Sequence, residues 1–419
     1  MNQNNLFGDF NPLLNNMYNM NNMNDMNNMN DMNNMNNMNK MNSMNNNNNS
    51  NKNKSNNNNI ISLKQHKTGL INIGQACYMN AILQSLSNIL IISTKLLEKF
   101  KKKEFKIDSQ PLACAYSSLL FELFYPKKNE KYIDSNSLEH FIEELNPLFK
   151  GMHASYAKDF IFFILEKLHQ ELSQNNNNKI DPQINFEQKE KNTQNEKLML
   201  QLFNDYSLRN NSIISDTFYG VNRSIMKCNN CGVTKYSFQA FNLLKFQLKK
   251  VKEEKFGGLY SREKIGLLDA FIVEQKQEIL KKESKIYCNS CHGLREGIYQ
   301  KNIYKLPPVL VIILDRGKNY EDFKEEFYFP TILDLTNQNI VIDDNSCLKF
   351  YLYGIVTHLG QNEDSGNFIT YCRSGPDSPF YCYNDTNVFK VKEEDAIKTD
   401  FSKKSNIKKI PYILIYHNF

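Results

Sequence analysis

The residue best suited to act as a nucleophile is Cys77, which stands where a helical pattern of apolar residues begins. A cysteine in the first turn of a helix lies near free backbone N–H groups and the positive end of the helix dipole, which favour thiolate over thiol. The same groups can bind an oxyanion, and Asn72, five residues upstream, offers an amide donor to the same oxygen. The pattern predicts a cysteine nucleophile, although an isolated cysteine is more often a small buried core residue.

Four of the nine cysteines form two Cys-x-x-Cys pairs, Cys228 with Cys231 and Cys288 with Cys291. Two such pairs supply the four thiolates that a tetrahedral structural zinc ion takes. The long interval between the pairs excludes a compact zinc finger and places the ligands at the tips of two long hairpins. A redox role is the alternative, but neither pair follows a strand of a βαβ unit. We expect one structural zinc ion, with the adjacent His292 as a bystander.

Several segments together resemble one enzyme family. Residues 69–84 read Gly-Leu-Ile-Asn-Ile-Gly-Gln-Ala-Cys-Tyr-Met-Asn-Ala-Ile-Leu-Gln. This resembles the Cys box of ubiquitin-specific proteases, GLxNxGNTCYMNAxLQ, and departs from it only at Gln75 and Ala76. Downstream, residues 306–316 and 353–360 resemble the family's LPPVLIIHLKR and YxLxGVxxHxG segments. The resemblance implies a papain-like cysteine hydrolase with Cys77 as nucleophile, Asn72 as oxyanion donor and zinc-binding fingers.

The same resemblance places the general base in a Gly-His-Tyr-x-Ala-Tyr segment, where residues 366–371 read Gly-Asn-Phe-Ile-Thr-Tyr. Asn367 therefore stands where the family has histidine. An amide has no useful proton affinity near neutral pH, so it can neither deprotonate Cys77 nor protonate the leaving lysine amine. We expect weak or absent turnover, with a loss of about a hundred- to ten-thousandfold.

The residues around the base are also assigned by resemblance. Residues 380–385 match the family's W-Y-x-x-(Asp/Asn)-Asp, which puts Asn384 where the base is oriented and Asp385 at the acidic position beside it. His358 is the candidate substitute base, although a histidine there is more often structural. Gly366 and Tyr371, which match the ends of the Gly-His-Tyr-x-Ala-Tyr segment, are expected to contact substrate.

A second departure lies at the start of a predicted helix. Residues 155–160 align with the family's Q-D-A-x-E-F, and Asp159 keeps the acidic character of the Glu. Tyr156 replaces an Asp that, by family analogy, pairs with an arginine of the ubiquitin tail. Because a desolvated arginine then lacks its partner, the replacement predicts weaker substrate binding.

The bulk composition excludes other classes of function. A net charge of +6, spread over 51 basic and 45 acidic side chains, is too thinly distributed for a nucleic-acid partner. No stretch approaches the roughly 20 apolar residues of a membrane helix. The chain starts without an apolar signal-peptide core and has an odd number of cysteines, so we expect an intracellular protein of the cytoplasm, the nucleus or both.

The predicted organisation is a disordered Asn- and Met-rich tail over residues 1–67, followed by a protease domain over 68–419. Helical periodicity predicts one helix from Cys77 to about Lys101 and another from Tyr156 to Leu172. Strand-like runs follow at 241–248, 309–314, 350–356, 368–372 and 412–416. Helices first and strands later indicate an α+β fold with an antiparallel sheet. By resemblance, the thumb spans about 68–210, with an insertion at 174–197, the fingers about 220–300 and the antiparallel palm sheet about 301–419.

Two functions of different class remain open at this point. One is a cysteine deubiquitinase of reduced activity, which binds ubiquitin or ubiquitinated proteins and cleaves isopeptide bonds through a Cys77 thioester. The other is a pseudoenzyme that binds ubiquitin or holds other proteins without cleaving. A zinc-dependent module unrelated to ubiquitin requires the Cys box to be a coincidence.

Overall fold

The computed structural model describes residues 63–72, 76–150, 156–173, 195–257, 263–317, 325–336, 340–343, 347–362, 365–400 and 408–419. The predicted tail lies outside these ranges apart from residues 63–67. The predicted insertion at 174–197 also lies outside them, except that residues 195–197 form the start of a helix.

Ten helices occur in the described residues. They are α1 (Cys77–Ser87), α2 (Leu90–Lys101), α3 (Pro111–Phe124), α4 (Asn136–Leu145), α5 (Tyr156–Leu172), α6 (Asn195–Arg209), α7 (Ile213–Phe218), α8 (Leu248–Phe256), α9 (Leu267–Glu274) and α10 (Glu393–Ile397). None of these helices is both long and apolar enough to cross a bilayer.

The same ranges contain eighteen strands. They are β1 (Gly69–Leu70), β2 (Tyr132–Ile133), β3 (Gly220–Cys228), β4 (Thr234–Phe241), β5 (Leu244–Gln247), β6 (Ile265–Gly266), β7 (Glu278–Leu280), β8 (Ile286–Cys288), β9 (Gly293–Arg295), β10 (Gly297–Lys305), β11 (Val309–Asp315), β12 (Phe327–Tyr328), β13 (Ile332–Asp334), β14 (Lys349–Asn362), β15 (Ser365–Cys372), β16 (Phe380–Asn384), β17 (Asn387–Val391) and β18 (Lys408–His417).

The larger sheet, the palm, has the strand order β17-β16-β15-β14-β18-β11-β5, with β13 also paired to β14. Its pairs are antiparallel except for β5 and β11, which run parallel at one edge. Strands β11 and β18 read as nearly continuous apolar runs because both are buried in the middle of the sheet. The predicted α+β class with a largely antiparallel palm is confirmed.

A smaller antiparallel sheet, the fingers, has the order β4-β3-β10-β7. Strand β5 and helices α8 and α9 fall inside the predicted fingers range, yet β5 joins the palm sheet, and apolar side chains of α8 and α9 belong to the palm core. The chain therefore leaves the fingers and returns to them between residues 244 and 274.

Helix α1 lies at the centre of the helical region, and ten of its eleven residues are buried. A helix buried on all faces must satisfy its polar side chains internally. Ser85 does so with its hydroxyl 2.8 Å from the hydroxyl of Thr370 on β15, and the Gln84 amide donates to the Thr68 carbonyl at 3.0 Å. The Ser85 contact holds α1 against β15, the strand that carries Asn367, and the Gln84 bond ties α1 to the segment before β1.

The predicted single helix from Cys77 to about Lys101 is wrong, because α1 and α2 are separated at residues 88–89. The buried side chain of Asn88 donates back to the Gln84 carbonyl at 2.8 Å and accepts from the Tyr383 hydroxyl at 3.1 Å. An asparagine that bonds its own backbone competes with the helix and ends it.

Other predictions differ less. The strand predicted at 241–248 is interrupted, because Phe241 ends β4, β5 spans Leu244–Gln247 and α8 begins at Leu248. Of the ten helices, only α1, α2 and α5 lie in segments predicted to be helical. The helix Tyr156–Leu172 and the strands at 309–314, 350–356, 368–372 and 412–416 are confirmed.

Candidate active site and metal site

Cys77 is the first residue of α1, and that helix begins without a side-chain cap. Ala76, the residue before it, has no side-chain oxygen to offer. The first backbone N–H groups of a helix have no partner within the helix, so an uncapped start leaves them available to a sulfur or a bound oxygen. The backbone N–H groups of Tyr78 and Phe368 both donate to the Cys77 sulfur. The thiol therefore lies between the start of α1 and strand β15.

The pKa of the Cys77 thiol is raised above its ordinary value. Burial is the main cause, and the negative charge of Asp385 acts in the same direction. The N–H groups of Phe368 and Tyr78 lower the pKa, as the sequence predicts for a helix start, but burial and Asp385 outweigh them. The net direction is opposite to the predicted one, and the resting sulfur is a thiol at neutral pH.

Asn367 immediately precedes Phe368 on β15, so its side chain sits next to the residue that contacts the sulfur. Its amide nitrogen donates a hydrogen bond of 3.0 Å to the side-chain oxygen of Asn384 on β16. The two residues lie diagonally across a pair of antiparallel strands and share one face of the sheet. The structure thus brings Asn367 together with Asn384, in the residue before the one whose N–H reaches the Cys77 sulfur, and the Asn367 amide has no basic atom.

Asp385 holds the approach to Cys77 in place. Its two carboxylate oxygens accept hydrogen bonds from the side-chain amides of Asn72 at 3.2 Å and Asn80 at 3.1 Å. Its backbone carbonyl accepts from the N–H of Leu70 at 2.9 Å. An amide nitrogen has two protons, so the bond from Asn72 to Asp385 orients that side chain and leaves its second N–H for an oxyanion.

Asn80 connects this half-buried carboxylate to a buried acid, Glu139, a link that sequence reasoning missed. The Ser135 hydroxyl lies 3.2 Å from the side-chain oxygen of Asn80 and 2.6 Å from a carboxylate oxygen of Glu139. Burial raises the pKa of Glu139 to about 7, although the Ser135 bond opposes the shift. The sequence did place Asn80 one helical turn after Cys77, which could have indicated a role near the site. The partners of Asn80 come from distant parts of the chain and could not be identified in this way.

His358 does not occupy the place of the base. It pairs with Phe368 across β14 and β15, while Leu359 pairs with Asn367. Because side chains alternate along a strand, His358 and Asn367 project from opposite faces. The His358 ring packs on Phe368 with centroids 5.0 Å apart, and burial lowers its pKa to about 4. Geometry and basicity both argue against the role of substitute base.

Most other described histidines have ring partners of their own. The His66 ring contacts the Ser87 hydroxyl at 2.8 Å, His140 lies 3.5 Å from Glu143, His169 contacts the Ser212 hydroxyl at 2.8 Å, and the His417 ring lies 4.2 Å from that of Phe419. His66 contacts the far end of α1, ten residues and about 15 Å from Cys77. His153 lies outside the described residues.

Gly366 and Tyr371 stand in different surroundings. Gly366 has φ of +142°, and a Cβ there would lie 2.4 Å from the Leu359 carbonyl oxygen and 2.7 Å from the His358 ring, so only glycine fits.

Tyr371 is four residues, or about 13 Å, along the strand from Asn367, and its buried ring packs into the palm core beneath the Lys409 ammonium at 4.1 Å. The structure does not bring Tyr371 to Cys77.

The start of α5 carries the residues that were expected to bind the substrate tail. The helix begins at Tyr156, and Asp159 is exposed in its first turn. Lys158, which the sequence did not single out, forms an ion pair of 2.9 Å with Asp315. Burial alone would raise the pKa of Asp315, but Lys158 and then Lys245 lower it below its ordinary value. The Asp315 carboxylate therefore partly neutralises the ammonium groups of Lys158 and Lys245.

The four cysteines of the two Cys-x-x-Cys pairs converge on one point. Their sulfur atoms all lie within 4.8 Å of one another, with Cys228 4.0 Å from Cys291 and Cys231 3.5 Å from Cys288. A tetrahedral zinc ion with Zn–S distances of about 2.3 Å separates its sulfurs by about 3.8 Å. The donor set therefore fits zinc in both type and spacing.

The two pairs sit at hairpin tips, as predicted, but the hairpins differ in size. Strands β3 and β4 form a long hairpin, whereas β8 and β9 have three residues each. Gly232 turns the first tip with φ of +71°. The side-chain amide of Asn230 donates to the Cys291 sulfur at 3.3 Å and is the main cause that lowers the pKa of that thiol to about 7, which favours the thiolate that a metal needs.

Comparison with known proteins agrees with this geometry. The family model for ubiquitin carboxyl-terminal hydrolase matches residues 68–416. Human ubiquitin carboxyl-terminal hydrolase 2 is 24% identical over 343 residues, which cover 80% of this chain and 54% of the relative. Ubiquitin carboxyl-terminal hydrolase 4 of Saccharomyces cerevisiae is 26% identical over 381 residues, covering 83% of this chain and 39% of the relative. The chain thus spans about half or less of the length of these relatives.

Solved structures support the fold. The SAGA Ubp8/Sgf11/Sus1/Sgf73 DUB module bound to ubiquitin aldehyde contains a chain that matches with a TM-score of 0.60 at 21% identity, covering 85% of this chain and 70% of that one. The module with monoubiquitin matches with a TM-score of 0.61. Since the family model spans most of the sequence, the chain belongs to the ubiquitin carboxyl-terminal hydrolase family, in its ubiquitin-specific protease group.

Proposed function

We propose that this chain binds the C-terminal tail of ubiquitin, free or on ubiquitinated proteins, and hydrolyses isopeptide bonds through a Cys77 thioester slowly or not at all. Membership of the family supports the choice of substrate, and the solved neighbours are bound to ubiquitin or ubiquitin aldehyde. One observation supports the expected loss of activity: the Asn367 amide, in the residue before Phe368, bonds Asn384 at 3.0 Å and offers no basic atom.

The remaining groups keep the roles that the reaction requires. Cys77 is the nucleophile, and the carbonyl oxygen of the substrate is received by the second N–H of Asn72 and backbone N–H groups at the start of α1. Asp385 orients Asn72, and its negative charge adds to the burial that raises the pKa of the Cys77 thiol. Among the described residues, none is placed to remove the proton from the sulfur or to deliver a proton to the lysine amine.

Cys228, Cys231, Cys288 and Cys291 would hold one structural zinc ion that ties the tips of the two hairpins together. Such an ion stabilises the fingers and takes no part in the chemistry at Cys77. The replacement of an acidic residue by Tyr156 at the start of α5 is expected to weaken binding of the tail.

A second candidate function rests on the same Asn367 and on Tyr156. A protein that has lost both the base and an acidic contact with the tail can serve as a pseudo-deubiquitinase, which binds ubiquitin or holds partners together without turnover. The two candidates differ in residual turnover, and in whether that turnover depends on Cys77.

The test is hydrolysis of a fluorogenic ubiquitin C-terminal substrate by the unmodified protein and by Asn367→His, with Cys77→Ala as the blank. We expect the unmodified protein to be about a hundred- to ten-thousandfold slower than Asn367→His. Binding of ubiquitin to Cys77→Ala is measured separately. Fast turnover by the unmodified protein, unchanged in Asn367→His, would show that the amide does not limit the reaction. Absence of ubiquitin binding would remove the proposed function altogether.

A further inference from the structure

The missing acid and base are not equally important for every leaving group. Release of an amine from a tetrahedral intermediate needs a proton, because an unprotonated amide nitrogen does not depart. A thiol leaves as a thiolate, and it leaves more readily as its pKa falls, without a proton from the enzyme. A site that has lost its general acid therefore loses isopeptides as substrates far more completely than thioesters.

The site of this chain has retained the part that a thioester requires. Asp385 fixes the Asn72 amide at 3.2 Å and the Asn80 amide at 3.1 Å, so the side-chain donor for an oxyanion stays in place. The uncapped start of α1 supplies backbone N–H groups next to the sulfur. The Asn367 amide, in the residue before Phe368, is held by Asn384 at 3.0 Å and can neither give nor take a proton near neutral pH. Electrostatic stabilisation is thus present where acid–base catalysis is absent.

We propose that the substrate class served by Cys77 is a thioester of the C-terminal carboxyl of ubiquitin, and that the chain accepts ubiquitin from another thiol and holds it. This proposal rests on the proposed ubiquitin binding and names the bond that the site can exchange. The reaction is a transfer between sulfurs rather than a hydrolysis.

The step balances without a further reactant. The Cys77 thiolate attacks the thioester carbon and forms a new C–S bond, while the carbonyl oxygen becomes an oxyanion bonded to the N–H groups of Asn72 and α1. The intermediate collapses by breaking the original C–S bond, and the leaving thiolate carries the electron pair into solvent. The proton of the resting Cys77 thiol is lost to water beforehand, so the rate rises with pH.

The second half of hydrolysis is blocked by the same residue. Water that attacks the Cys77 thioester must lose a proton to a base, and Asn367 cannot accept it. The adduct is therefore long-lived in water but open to a second thiol, which removes ubiquitin by reversing the first step. Added dithiothreitol should discharge it within the time of the assay.

The experiment incubates the full chain with ubiquitin that carries a C-terminal mercaptoethanesulfonate thioester, and separately with isopeptide-linked diubiquitin. Intact mass spectrometry then follows the adduct, and peptide mapping locates it. Exposed Cys347 serves as an internal reference for unassisted exchange with a surface thiol. Asn72→Ala tests the oxyanion donor, since loss of one such donor costs about a hundred- to a thousandfold in rate. Asn367→His tests the persistence of the adduct, and Cys77→Ala measures ubiquitin binding.

We expect an adduct on Cys77 from the thioester and none from diubiquitin. Its formation should be slower in Asn72→Ala, and the adduct should turn over rapidly in Asn367→His. Equal labelling of Cys77 and Cys347, or no labelling of Cys77 while Cys77→Ala still binds ubiquitin, would overturn the thioester proposal and leave ubiquitin binding standing. Failure of Cys77→Ala to bind ubiquitin would overturn both.

Discussion

Replacing Asn367 by histidine should change how the reactivity of Cys77 depends on pH. Asparagine Nδ2 and histidine Nδ1 are the same number of bonds from the backbone, so the imidazole can place an N–H where the amide N–H now bonds Asn384 at 3.0 Å. Its second nitrogen then extends beyond the reach of the amide and is available to the sulfur. The variant should form a thiolate–imidazolium pair, which the unmodified chain cannot form.

The size of the effect follows from two opposing factors. With a thiol pKa raised above 9.0, the unmodified chain has at most about one thiolate in a thousand at pH 6. If the pair in the variant ionises near pH 5, nearly every sulfur is a thiolate at pH 6, but each is about sixtyfold less nucleophilic because its basicity is lower. The variant should react with iodoacetamide at least about tenfold faster at pH 6, and the advantage should vanish near pH 8.

The assay is the rate of alkylation of Cys77 between pH 5.5 and 9, read by peptide mass spectrometry. Exposed Cys347 in the same molecule corrects for the reagent. The rate for the unmodified chain should rise about tenfold per pH unit, whereas that of Asn367→His should be nearly flat. Thermal melting curves confirm that both proteins are folded. A flat profile for the unmodified chain would mean that a base already acts on the sulfur, and our account of the site would be refuted.

Three further predictions concern the surroundings of the site. Asp385→Asn should make Cys77 react faster with iodoacetamide at pH 7, because the carboxylate raises the thiol pKa. In the Asn367→His background the same change should slow hydrolysis of a ubiquitin substrate, because Asn72 loses its anchor. Changes in the same direction in the two assays would contradict this prediction. Burial raises the pKa of Glu139 from 4.5 to about 7, so the folded state binds its proton more tightly and stability falls as pH rises through that window. Glu139→Gln has no carboxyl to titrate, so its free energy of unfolding, measured with urea, should increase relative to that of the unmodified protein by about 2 kcal/mol between pH 5 and pH 8. A difference between the two proteins that does not change with pH would refute this prediction. Elemental analysis should find one zinc per chain, and Cys231→Ser should reduce the zinc content and the melting temperature; folded protein without zinc would exclude the site.

The parts of the site that were predictable are those carried by short contiguous patterns. The start of α1 at Cys77 and the convergence of Cys228, Cys231, Cys288 and Cys291 depend on spacing within a few residues. The register that puts Asn367 diagonally across from Asn384 also follows from short segments on neighbouring strands. Asn367 and Asn384 then come together because β15 and β16, which follow one another in the sequence, pair in the sheet.

What could not be predicted depends on groups that are distant in the sequence. The pKa of Cys77 is the balance of burial, a carboxylate 308 positions later and backbone N–H groups from two elements, and no local pattern reports that sum. Asn80 was read as part of a motif, but its role comes from Asp385 and Ser135. The return of β5 to the palm also escapes a segment-by-segment analysis, because a parallel edge strand has no distinctive apolar period.

The contact between Asn367 and Asn384 has a consequence for the history of the chain. Codons for asparagine and histidine differ only at their first base, and the acceptor that an imidazole would need is already in position. One transversion therefore separates the present site from one with a complete proton relay, with no second change in the neighbouring strand. A single mutational event can therefore give or remove an imidazole next to Asn384.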